Sequence, residues 1–422
     1  MAHTHIKQAQ PTNPADTREL ADQVALMLRV IETEGEAAVR RMAAQFDKWE
    51  GEILLTDADR ARAIARVPEE VKRDIRYAHD NIRRFAEAQR GSVSDCEIEL
   101  ASGLVAGQRL IPVSAAGCYV PGGRYAHVAS ALMTITTAKV AGVPHITATS
   151  PAKPGQGIPD AIVYTMDLAG TDAILALGGV QAVAAMAHGH FGLPGADILV
   201  GPGNQYVAEA KRQLFGPIGI DMVAGPTDSM ILADRSAVPE TVAWDLVGQA
   251  EHGHNSPVWL ATNDAALAQS VLALVPRLIE TLPEPNAENA RLAWARHGEI
   301  ILCDSFEDMA RLADLYAPEH LHVQAEGLDW WLNRLRVYGS LFLGAETTVA
   351  FGDKCAGPNH VLPTSGAARY TGGLSVHKFL KTVTWQRATA EGARPVAEAA
   401  ARISRLEGME GHARTADIRL RG

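Results

Sequence analysis

The chain predicts an α/β fold with parallel, doubly wound sheets, and three observations carry that prediction. From about residue 109 onward, short apolar runs alternate with helical segments in β-α-β-α order. Several of those runs end in Gly-containing loops, the pattern of buried strands feeding helices. At 422 residues, with 47% hydrophobic side chains, the chain exceeds one comfortable core and needs at least two packed units.

The elements follow in order. The opening "MAHTHIKQAQPTNPADTREL" is polar, lacks the apolar core of a signal peptide and reads as a tail. Next, "LADQVALMLRVIETEGEAAVRRMAAQFD" spaces its apolar residues as a helix does, and residues 58–90 continue mostly helical. Buried strands are predicted at "HITATSP", "AILALGG", "ADILVGPGN", "MILAD", "PVWLATND", "EIILCD" and "GSLFLG". Helices between them include "HVASALMTITTAKVAG", "VQAVAAMAHGH", "QYVAEAKRQLFG" and "VPETVAWDLVGQAEHG". No internal repeat at a fixed period is evident. Residues 376–422 are helical and charged, with no strand before "ADIRL", and are expected to pack on another domain or another subunit.

Composition excludes several classes. A net charge of −10 and the absence of a Lys/Arg run argue against nucleic acid as a partner. No apolar run approaches the roughly 20 residues of a membrane span. The four cysteines, Cys96, Cys118, Cys303 and Cys355, show no CxxC spacing, which suits reduced thiols in a cytoplasm.

Sheets of this kind place ligands at the carboxyl ends of their strands, so the loops there are the first candidates. "CYVPGGRYAH", "ALGGVQA", "LVGPGNQY" and "AGPTDS" bring glycines and helix starts that suit a phosphate. The same residues also serve as plain turn punctuation, and no GxGxxG fingerprint is present. In "QAEHGHNS", Gln249 and His252 are three apart and share a helix face, while Glu251 points elsewhere. "YAPEHLHV" sets Glu319 beside His320 at a helix end, "FGDKCAGPNHVLPT" carries Asp353 and His360 in a Gly/Pro-containing loop, and "RLEGMEGHARTADIRL" carries Glu407, Glu410 and His412. Singly, each is as compatible with a solvated surface as with a site. Together, Gln249, His252, Asp353 and His412 would supply two nitrogens and two oxygens to a borderline metal such as Zn²⁺. Glu319 and His320 would then be a general-base pair beside it.

"GPGN", "AGPTD", "QAEHG", "APEHL", "GD…NHVLPT" and "LEGMEGHA", in that order, resemble the histidinol dehydrogenase family. The resemblance runs from about residue 20 to the C-terminus. It implies an intertwined homodimer of two incomplete Rossmann-like domains, which accounts for the missing fingerprint. Residues 1–20 would be a tail, 21–118 plus 228–375 the domain with metal and catalytic residues, 119–227 the NAD-binding domain, and 376–422 an arm reaching into the partner's site. By the same resemblance, zinc is held by Gln249, His252, Asp353 and His412, the last from the partner subunit. The general bases are Glu319 and His320. NAD contacts carry over to Tyr119, Gln181 and Asn204, and substrate contacts to Thr227 (where Ser is commoner), Glu407, His320 and the metal ligands. The implied reaction oxidises a primary alcohol to a carboxylate in two hydride transfers to NAD.

The chain departs from the biosynthetic pattern in its charges. Arg124 and His127 stand where small, apolar or aromatic residues are usual, Lys354 follows Asp353 where Tyr is common, and "SGAARYTGG" adds Arg369. Basic groups near the metal suit an anionic substrate. These features, with "HIKQAQ" and "FDKWEG", look like the sulfopropanediol 3-dehydrogenase branch, which converts 2,3-dihydroxypropane-1-sulfonate to 3-sulfolactate. Glu407 keeps L-histidinol as the alternative substrate. A zinc hydrolase, with Glu319 activating a metal-bound water, and a catalytically silent zinc-stabilised binding protein are the readings from other classes. The nucleotide loops argue against the first and the intact Glu–His pair against the second.

Overall fold

The computed structural model describes residues 3–10, 18–122, 127–223 and 225–421. Among them, three sheets form. The five-stranded sheet is parallel throughout. Its strands, in spatial order, are Ala173–Leu175, His145–Thr149, Ala115–Tyr119, Ile198–Val200 and Gly219–Ile220. The six-stranded sheet has five parallel strands, Glu299–Cys303, Val258–Thr262, Ser229–Ala233, His320–Gln324 and Ser340–Leu343, and one antiparallel strand at its Glu299–Cys303 edge. Numbered within each unit, both sheets read third, second, first, fourth, fifth. Sequence periodicity shows no repeat, yet the topology repeats.

Alternation along each strand sends side chains to opposite faces, and helices cover both. In Ser229–Ala233, Ile231 and Ala233 pack under the helices Pro239–Ala250 and Ala265–Ile279. Met230 and Leu232 pack against Phe306–Tyr316 and Trp331 on the other side. The five-stranded sheet is enclosed in the same way by two separate apolar clusters.

Several elements differ from expectation. The segment read as a tail contains a strand, His3–Lys7, paired antiparallel with Glu299–Cys303 at the sheet edge. Its short polar run carries no periodic signal strong enough to announce it. The helices Arg18–Glu34, Glu36–Met42, Asp57–Arg66 and Glu69–Gly91 were assigned to the unit holding the metal residues, but their apolar faces pack on the five-stranded sheet. A third sheet joins Cys96–Ala101, Leu104–Pro112 and Leu380–Ala388 antiparallel, so a strand does precede "ADIRL". "LKTVTWQRA" is polar on both faces and mostly exposed, which hid it from a search for buried runs. "ADIRL" itself ends a helix. The helices Ala390–Leu406 and Glu410–Asp417 pack mainly on each other. Among the described residues, no helix is long and apolar enough to cross a membrane.

One buried ion pair fastens the loop after Ile198–Val200. Lys211 donates to the Gly201 carbonyl at 2.9 Å and to Asp221, whose carboxylate also accepts from the Gly201 and Met222 amides at 2.7 and 2.6 Å. Gly201 has φ +114°, and a Cβ there would collide with the Tyr119 carbonyl oxygen. Replacing Lys211 with Met should strand the Asp221 charge, fully buried at 0% side-chain exposure, and cost about 3–5 kcal/mol in denaturant unfolding. A loss below about 1 kcal/mol would mean that the two amides suffice.

Candidate active site

At the carboxyl end of the five-stranded sheet lies a cavity of about 620 Å³, lined by Tyr119, Gln181 and Asn204 with Asp47, Gly122 and Lys153. The three residues expected to contact a dinucleotide therefore share one space. Tyr119 ends its strand, and its phenol accepts from the Gly179 amide at 3.1 Å. Burial pushes that phenol up to about 12, so it stays protonated. Asn204 caps the helix Gln205–Leu214, its side-chain oxygen accepting from the Tyr206 and Val207 amides. Asp47, in the "FDKWEG" turn, accepts from Gln181 Nε2 and from the Gly178 amide, both at 3.0 Å. Sequence reasoning missed Asp47, although an acid between an apolar helix and a turn was a usable signal.

The acid–base residues gather at the opposite kind of edge. His320 is the first residue of its strand, Asp228 directly precedes Ser229–Ala233, and Gln249 ends a helix that leads into the next strand. These are amino ends, so the carboxyl-end rule holds in one sheet and fails in the other. The two ends meet. Asn359 donates to the Met133 carbonyl at 2.8 Å, and His127, at the carboxyl end of the five-stranded sheet, lies close enough to His252 and Lys354 for their charges to interact.

Asp353 is central. Its oxygens stand 3.8 Å from His252 Nε2 and 3.6 Å from His320 Nε2, and Glu319 lies 3.8 Å from His320 Nδ1. These are ion-pair distances, too long for formed hydrogen bonds. Burial alone would raise the Asp353 carboxyl, yet His320, His360 and His252 outweigh it and hold it at about 2. For His320, burial opposes the cation, but Glu319, Asp353 and Asp228 prevail and its pKa rises. Glu319 is pushed up to about 8 by burial, against the pull of His320.

Asp228, absent from the sequence-derived set, holds Glu319 reciprocally. Its carboxylate accepts from the Glu319 amide at 2.7 Å and the Ser365 amide at 3.0 Å, while its own amide donates to Glu319 Oε2 at 3.3 Å. Thr227, beside it, is partly buried. His360 serves the frame. Its Nδ1 meets the Asp353 carbonyl at 2.7 Å, which can only accept, so Nε2 takes the Ser130 hydroxyl at 3.2 Å. Glu251, expected off a Gln249–His252 face, accepts from Asn286.

Other expectations are not met within one chain. Glu407 and His412 are exposed on the C-terminal helices, and among the described residues no hydrogen bond or ion pair joins them to the cluster. Among those residues, no three His, Cys, Asp or Glu side chains converge as a metal site. Of the four expected donors, Gln249 is an amide and so falls outside such a set, and His412 sits on the C-terminal helices. Arg369 is exposed and donates to the carbonyls of Gly366 and Leu315. Arg124 lies outside the described residues.

The cleft nevertheless fits a zinc ion. Gln249 Oε1 and both ring nitrogens of His320 are buried without hydrogen-bond partners, a situation that costs about 1–3 kcal/mol per atom unless something binds there. Gln249, His252 and Asp353 offer the mixed N/O donors zinc accepts.

The sequence pattern of the histidinol dehydrogenase family matches residues 10–420. This chain belongs to the histidinol dehydrogenase family. A Ruegeria pomeroyi protein named histidinol dehydrogenase homolog is 66% identical over 420 residues, covering 100% of this chain and 97% of that protein. A second protein of that organism, named sulfopropanediol 3-dehydrogenase, is 60% identical with the same coverage, 100% and 97%. The crystal structure of histidinol dehydrogenase from Elizabethkingia anophelis matches at a TM-score of 0.91 and 33% identity, covering 98% of this chain and 94% of that one. The chain is thus an oxidoreductase of this family, with the α/β architecture of its solved member.

The Asp228–Glu319 pair yields a direct test. Asp228→Ala should leave the Glu319 and Ser365 amides unsatisfied and lower unfolding stability by about 1–3 kcal/mol per amide, with loss of dehydrogenase activity. Full activity in that variant would show that Glu319 needs no such support.

Proposed function

We propose that this protein is a zinc-dependent NAD⁺ oxidoreductase that converts 2,3-dihydroxypropane-1-sulfonate to 3-sulfolactate through the aldehyde. The observation that carries the reading is Lys354, directly after Asp353, with a charge that reaches His127 and His252. Burial and that cation push both imidazoles toward the neutral form, leaving Lys354 as the cation near the metal donors and His127 as an N–H donor. Such groups give charge-assisted hydrogen bonds to a sulfonate, whereas the cationic histidinol would be repelled. Arg124, four residues into the same "PGGRYAH" loop region, is proposed to share that role. The relative named for the sulfopropanediol reaction supports the choice. L-histidinol remains the alternative, on Glu407.

The two parallel units are read as incomplete Rossmann-like domains, the five-stranded one binding NAD through Tyr119, Gln181 and Asn204. A homodimer completes the site, with the arm of a second copy bringing His412 to the zinc and Glu407 to the substrate. The exposed Ile403, Leu406 and Met409 on that arm favour burial against a partner. Four free cysteines suit a cytoplasmic enzyme.

When bound, the dinucleotide accepts hydride and the zinc holds the substrate's oxygens in place. His320 takes the hydroxyl proton in the first oxidation from its neutral form; its carboxylate neighbours alone favour the cation, and the charge of a metal held beside Asp353 would oppose that preference. Glu319 takes a proton from the water that adds to the aldehyde, and a carboxyl poised near neutrality can both accept and return it. In the second oxidation His320 accepts the proton of the hydrate. Net, one alcohol, one water and two NAD⁺ give one carboxylate, two NADH and three protons.

NADH formation should be measured with both enantiomers of the sulfonate diol and with L-histidinol. Two NADH per sulfonate consumed is expected, and preference for histidinol would overturn the assignment. His127→Leu should raise KM for the sulfonate about tenfold to a hundredfold with zinc content unchanged. A rise in KM for NAD⁺ instead would place His127 at the cofactor. The two bases should separate by half-reaction. His320→Asn should slow alcohol oxidation, and Glu319→Gln chiefly aldehyde oxidation, each by about 10²–10⁴-fold. Stopped-flow measurement starting from alcohol or from aldehyde checks this, and equal effects on both steps would contradict the division.

A further inference from the structure

Behind the cleft lies a second layer of polar side chains that the proposed chemistry leaves unused. Asp245 stands four residues before Gln249 on the helix Pro239–Ala250, so both lie on one helix face. His322 and Gln324 share one face of the strand His320–Gln324 with His320. Thr348 precedes the helix Val349–Lys354, which carries Asp353.

The Asp245 carboxylate joins all three elements. It accepts from Gln324 Nε2 at 2.6 Å and from the Thr348 hydroxyl at 2.8 Å, and it lies 3.4 Å from His322 Nδ1. His322 is fully buried, at 0% side-chain exposure, and its Nε2 donates to the Gly344 carbonyl at 2.8 Å. Thr348 is informative. A threonine at a helix N-cap ordinarily accepts from the helix's own amides, but this hydroxyl makes no capping bond and is spent on Asp245. Asp245 is largely but not fully buried, at 14% side-chain exposure, and apolar packing there would stabilise about as well as a carboxylate so enclosed, so stability alone does not explain a charge there.

We propose that Asp245 is a positioning residue that sets Gln249, His320 and Asp353 in register, so that the zinc donors are preorganised before the ion arrives. The inference rests on the zinc reading above. Asp245 touches neither ion nor substrate. It acts through one helical turn to Gln249, through His322 and Gln324 to the strand of His320, and through Thr348 to the helix of Asp353. Supports of this kind typically change metal affinity or activity 10–100-fold.

The test compares the full-length wild type with Asp245→Asn, Thr348→Val and His252→Ala, all loaded with zinc and challenged with a chelator. Asp245→Asn should release zinc about 10–100-fold faster, and Thr348→Val should move the same way by less, both with melting temperatures within a few degrees of wild type. The cobalt-substituted proteins should show altered visible absorption, and kcat should fall while KM for NAD⁺ holds. Should Asp245→Asn fail to fold, Thr348→Val carries the same readouts. Zinc lost from His252→Ala but held at the wild-type rate by Asp245→Asn, or by Thr348→Val if that variant stands in, overturns the positioning role and leaves the metal site intact. Failure of the wild type to retain zinc overturns both.

Discussion

A buried carboxylate held between two imidazoles is the constraint from which the site is built. Isolated, Asp353 would be costly in so little solvent, and burial would neutralise it. His252 and His320 reverse that outcome, keeping the group ionised. Because the contacts stop short of hydrogen bonds, the cluster is attracted but not closed, and the neighbouring Gln249 oxygen is left without a partner. A site that satisfied itself would have nothing left to offer an ion. Among the described residues, Gln249 Oε1 and both His320 nitrogens are such unpartnered atoms within the cleft.

The architecture makes this possible by using one topology twice in opposite senses. Both parallel sheets place their first strand in the middle. One presents its carboxyl ends, where backbone amides and the Asn204 cap favour a dinucleotide. The other presents its amino ends, where strands begin with His320 and follow Asp228. Loops such as the one from Asp353 to Thr364 bridge the two, through Asn359 to Met133 and Thr364 to Gly225. The Asp353–His320 cluster and the cavity beside Tyr119 therefore come from different units, and their spacing is set by contacts between units.

Much of this was legible in the sequence because it is written in local patterns. Apolar runs marked most strands of the two parallel sheets but not Gly219–Ile220 or His320–Gln324, whose Glu319–His320 start was expected at a helix end. The helix carrying Gln249 stops at Ala250, so His252 stands in the following turn and not on the expected helix face. The antiparallel sheet was not legible, since Leu380–Ala388 has no buried face to give a period. The partners of Arg369 were not legible either, because a guanidinium's target is a matter of tertiary structure; here they include two carbonyls. Asp228 and Asp47 were missed for the reverse reason. Each works by accepting from backbone amides distant in sequence, which no spacing rule records.

The strand His3–Lys7 has a practical consequence. It covers the outer edge of Glu299–Cys303, an apolar run that would otherwise offer unpaired amides and carbonyls to any passing chain. Lys7 further ties down the Gly298 carbonyl. What looks like a dispensable leader is thus a guard against aggregation. Affinity tags fused directly ahead of it, or trimming of the first residues to aid crystallisation, would act on solubility before they touched catalysis.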